Sequence, residues 1–188
     1  MPSKQPPLLI IVHPGSACGS ADMNLGNDTA EFLRLEMQGL VEGWAGGIAV
    51  IDGELSEELE RHAGRSSWFN WGRAIDEALA RATTRGFIST RIMGDDGSAY
   101  DQQSAASDLV SQLGLSPSTI EITLTGAWIE DDGSGCVYSV RDTLVELGFS
   151  PKVEGAMDMD FEMNEDELED EEEDVVPSPP PRSLRPSR

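Results

Sequence analysis

The chain has 188 residues, 38% of them hydrophobic, and carries 35 acidic against 13 basic side chains, a formal net charge of −22. That length supports one α/β domain with a core of its own. The charge repels phosphate backbones, so direct binding of nucleic acid is disfavoured, and no apolar run approaches the roughly 20 residues of a membrane span.

The first apolar run, PPLLIIV at 6–12, is β-branched and bounded by proline and by His-Pro-Gly, the pattern of a buried strand. Its early break at His13 also argues against a secretory leader, which sets the expected location as cytoplasmic. After the loop HPGSACGSAD, residues 27–41 place Phe32, Leu33, Leu35, Met37, Leu40 and Val41 at mixed helical spacing, a helix that Gly43 ends. GIAVI at 47–51 reads as a second strand closed by Asp52-Gly53. Ser56, followed by Glu57 and Glu58, opens a helix that runs with a break at 64–67 through Trp71, Ile75 and Leu79 to Gly86. FISTRI at 87–92 is a third, more polar strand, and residues 104–113 form a helix that stops at Gly114. A fourth strand at 120–124, a helix at 137–147 closed by Gly148, and a short strand within 151–155 complete the pattern.

Strand and helix alternate throughout. The expected architecture is therefore a three-layer αβα sandwich around a mostly parallel, doubly wound sheet of about five strands. Residues 1–157 form this single domain. Of the 35 acidic residues, 12 fall in 158–174, ahead of the proline- and arginine-containing end VVPSPPPRSLRPSR. Residues 158–188 are expected to stay disordered, because they offer too little apolar area to offset the entropy of ordering. An acidic tail of this kind suits a basic protein partner.

In an open parallel sheet, ligands bind beyond the carboxyl ends of the strands, where the strand order reverses. Four loops reach that rim: HPGSACGSAD, DGELS, GDDGSAY and AWIEDDGSGC. In the first, Gly15, Ser16 and Gly19 could present backbone N–H groups to a small molecule, although neither dinucleotide nor P-loop spacing is present. Trp128 is placed on the rim. Asp95 and Asp96, with Asp131 and Asp132, form two Asp-Asp-Gly-Ser loops that could converge on a divalent metal, as a phosphohydrolase would require; the same dipeptides also make ordinary turns. Trp71 reads as packing for the second helix, while WFNW at 68–71 would also suit a contact between copies of the chain in a homo-oligomer. Cys18 and Cys136 do not make a disulfide framework and are read as free thiols. Cys136 lies between a strand and a helix, where the helix N-terminus favours a thiolate and hence a nucleophile.

From residue 107 onward the order of features resembles that of the isochorismatase-like cysteine hydrolases, a superfamily that includes nicotinamidases. The residues carrying the resemblance are Leu109 and Leu113 in a helix, the strand ITLTG, Cys136-Val137 at a helix start, Arg141-Asp142, Leu147-Gly148 and the segment 153–156. The resemblance implies an αβα fold and a catalytic set of an Asp ending strand one, a Lys after strand three, and the Cys. Cys136 then takes the place of the nucleophile that attacks a small amide or related substrate. His13 stands at the Asp position as the candidate base. The only lysines are Lys4 and Lys152, so Arg91 is the nearest cation to the Lys position, and it can replace the charge but cannot carry the proton. The chain is accordingly expected to be either a divergent hydrolase or a catalytically silent relative.

Overall fold

The computed structural model describes residues 4–18, 27–52, 66–93 and 102–161. The elements are β1 (Leu8–Val12), a 3-10 turn (Ser16–Cys18), α1 (Asn27–Gly43), β2 (Gly47–Asp52), α2 (Ser66–Thr84), β3 (Ser89–Met93), α3 (Gln102–Leu113), β4 (Ile122–Ile129), α4 (Cys136–Glu146), β5 (Lys152–Val153) and β6 (Met157–Asp158). The strands pair in the order β3-β2-β1-β4-β5, every pair parallel, and β6 joins the far end of β4. This is the expected α/β architecture.

β1 is central, and all five of its side chains are fully buried. A parallel strand covered by helices on both faces must be apolar on both, and LLIIV meets that requirement. Side-chain alternation then divides the core in two. Leu8, Ile10 and Val12 pack under α3 and α4 with Leu109, Val140 and Leu144. Leu9 and Ile11 pack under α1 and α2 with Leu33, Met37, Trp71 and Ile75. Each of these buried Leu or Ile side chains contributes about 1.5–3 kcal/mol relative to exposure. Trp71 serves the core as expected, and its Nε1–H also donates to the Pro14 carbonyl at 3.0 Å, pinning the loop after β1.

Two boundaries differ from the sequence reading. β4 continues through Gly126, Ala127 and Trp128 to Ile129, residues expected to be loop. It passes Gly126 so close to β1 that a Cβ there would stand 2.0 Å from the Val12 carbonyl oxygen, and φ at that glycine is 124°. The peptide bond between Ala127 and Trp128 is cis. At the other end, the fold continues past the expected boundary at 157. Met157 is fully buried, Met159 and Phe161 pack on the α1 face, and the Phe161 ring stacks on Phe32 at 5.7 Å. The segment MDMDF alternates apolar and acidic side chains in strand period, so its charge faces outward while its apolar side closes the core. α2 begins at Ser66, within the expected break at 64–67; the helix expected from Ser56 and the tail from 162 lie outside the described residues. No helix among the described residues is long and apolar enough to cross a membrane.

Candidate functional site

The helices α1 and α2 lie on one face of the sheet and α3 and α4 on the other, so the chain changes direction between β1 and β4. In open α/β sheets, ligands are received beyond the carboxyl ends of the strands at such a reversal. His13 follows β1, and Cys136 opens α4, the helix after β4.

His13 is 8% exposed and adopts φ 44°, a left-handed backbone that a non-glycine residue seldom takes. Its N–H donates to the Ile51 carbonyl at 2.8 Å, which extends the β1–β2 ladder by one residue, and its carbonyl accepts from the Ser16 N–H at 3.0 Å. The Ser16 N–H is therefore engaged in the turn. Gly15 is buried and Ser16 half-buried in the same tight turn, which packs on β4. Gly19, the third member of the expected cradle, lies outside the described residues.

Cys136 is the first residue of α4 and is also 8% exposed; it is a free thiol. Its neighbours form the α3–α4 side of the core, and this burial pushes its pKa up from the ordinary value, because desolvation penalises the thiolate. That direction is opposite to the one expected from the helix N-terminus alone.

Arg91 does not reach toward Cys136. It lies on the α1–α2 face, where its guanidinium contacts Asp76 of α2 at 2.9 Å and Asp52 at the end of β2 at 3.4 Å. Asp52 is fully buried, so the pair closes the carboxyl end of β2 on the far side of the sheet from the thiol. Sequence spacing placed Arg91 near the strand ends but could not show its face.

The turn from β4 to α4 is bonded to itself. Trp128, half-buried at the end of β4, donates its Nε1–H to Glu130 Oε1 at 3.0 Å. Ser134 donates its hydroxyl to Glu130 Oε2 at 2.8 Å and its N–H to Asp132 Oδ1 at 2.8 Å. These Ser134 bonds hold the Asp132 carboxyl below its usual range and account for its role as a turn residue. Asp131 faces elsewhere: its N–H donates to Asp160 Oδ2 at 2.7 Å, and its carboxylate lies with those of Asp158 and Asp160, oxygen atoms all within 4.8 Å of one another. Asp158 and Asp160 were not among the sequence candidates; the alternation in MDMDF was the signal. Of the expected metal set, Asp131 and Asp132 thus take different partners, and Asp95 and Asp96 lie outside the described residues.

The described residues form an all-parallel α/β sheet whose order reverses between β1, which His13 follows, and β4, which leads to Cys136. No protein-family model, curated protein or solved structure matches the chain.

Proposed function

We propose that this chain is a divergent, catalytically silent relative of the isochorismatase-like hydrolases that binds a small amide or related molecule in the crevice between the ends of β1 and β4. The observation that carries this reading is the setting of Cys136. On this reading it takes the place of the family's nucleophile, yet it is buried and desolvation raises its pKa, while the nearest candidate for the family's cation, Arg91, is held by two carboxylates on the other face. Binding needs only the crevice, whereas hydrolysis needs a thiolate.

One observation favours a second reading, cysteine-dependent hydrolysis. His13 sits at the end of the strand adjacent to β4 with an unusual backbone, the kind of geometry often found at functional sites. In that chemistry His13 accepts the Cys136 proton, Sγ attacks the carbonyl carbon, the amine leaves with the proton, and water releases the acyl group.

The full chain, incubated with small aromatic amides such as nicotinamide, distinguishes the two readings. Slower iodoacetamide alkylation of Cys136, read by peptide mass spectrometry, with no ammonia released, is the result expected of a silent binder. Ammonia release that Cys136→Ala abolishes would replace it with the hydrolase. Neither protection nor release across the panel sinks both.

A further inference from the structure

One carboxylate spans the turn that carries Cys136. Glu130 Oε1 accepts from Trp128, the side chain that ends the buried part of β4, and Oε2 accepts from Ser134, two residues before the cysteine. The main chain closes the same ring: Glu130 N–H donates to the Ser134 carbonyl at 3.2 Å, and Gly133 N–H to the Glu130 carbonyl at 3.0 Å. Beneath the ring, Gly135 is pressed onto the strand so closely that a Cβ would meet the Trp128 carbonyl oxygen at 2.4 Å. The turn therefore has one seated position, and α4 begins from it.

We propose that Glu130 is a positioning residue, a two-pronged clasp between Trp128 and Ser134 that seats the β4–α4 turn and so sets the depth at which Cys136 lies. With the clasp closed Cys136 is 8% exposed. Opening it frees residues 130–135 from the strand and uncovers the first turn of α4 without unfolding the sheet, because the strand pairs of β1, β2 and β4 do not pass through Glu130. The inference rests on the location of Cys136 and not on what the crevice binds, so it stands or falls separately from the functional reading.

The test is the alkylation rate of Cys136 in the full chain without any added amide, quantified peptide by peptide. Glu130→Ala removes both acceptors and should raise the rate about tenfold or more, the change expected from losing two net hydrogen bonds. Ser134→Ala and Trp128→Phe each remove one prong and should give a smaller rise. Glu130→Gln keeps one acceptor oxygen and should restore most of the protection. The excess labelling should depend only weakly on urea, since a local opening exposes little surface, whereas labelling through global unfolding rises steeply. An unchanged rate in Glu130→Ala with intact circular dichroism overturns the proposal. So does a rise that tracks urea as global unfolding does. If Glu130→Ala fails to fold, the two single-prong variants decide it by the same criteria.

Discussion

At the scale of single residues, two glycines and one cysteine hold the rim in place. Gly126 lies against the Val12 carbonyl and Gly135 against the Trp128 carbonyl, both at positive φ, so an added methyl group meets backbone that cannot retreat. Gly126→Ala and Gly135→Ala should each cost about 3 kcal/mol or more in urea unfolding. Gly39→Ala is the contrasting case: it sits in α1 with open space around it and should stabilise by about 0.5–1 kcal/mol. Cys136 makes a prediction about pH. Its pKa is raised in the folded state, so the folded chain holds the proton more tightly than the unfolded one, and the associated stability is complete below the ordinary value of 9.0 and lost as pH rises through the folded value. The urea midpoint of the wild-type chain should therefore fall more between neutral and alkaline pH than that of Cys136→Ala. Parallel pH dependences in the two proteins would contradict the assignment.

At the scale of elements, the last strand is the least conspicuous and among the more consequential. β6 is two residues long, yet Met157 is fully buried and Phe161 caps α1 through Phe32. Met157→Ala should cost about 2–5 kcal/mol, a loss visible as a shift in the urea midpoint without a change in slope. The sequence made most other elements legible. PPLLIIV and GIAVI are apolar on both faces and bounded by turn residues, and the helices of 27–43 and 102–113 end at glycines. β6 was hidden because its outward positions are aspartates that merge with the acidic run behind it, so composition outweighed alternation. β4 was read too short because a glycine inside it suggests an end, whereas Gly126 is there for the close approach to β1. For the site, topology was legible and orientation was not. Alternation along a strand assigns side chains to faces only once the register is known, and for that reason Arg91 was grouped with Cys136 although its partners are Asp52 and Asp76.

At the scale of the whole molecule, the parallel sheet sits inside a chain of net charge −22. Self-repulsion on that scale opposes compactness and is screened as the Debye length shortens from about 30 Å at 0.01 M salt to about 10 Å at 0.1 M. The melting temperature of the full chain should rise over that interval of sodium chloride; a flat or falling response would show that the charges are too dispersed to matter.

The central place of β1 also has a consequence for how the chain is made. On a ribosome, Leu8–Val12 emerges ahead of its partner strands and can gain β2 on one edge soon afterwards, but the partner for its other edge, β4, begins about 110 residues later. Over that interval this wholly apolar strand is left with one row of backbone groups unpaired, a template for any other extended chain. The nascent polypeptide is thus most open to wrong pairing along that edge before Ile122 appears.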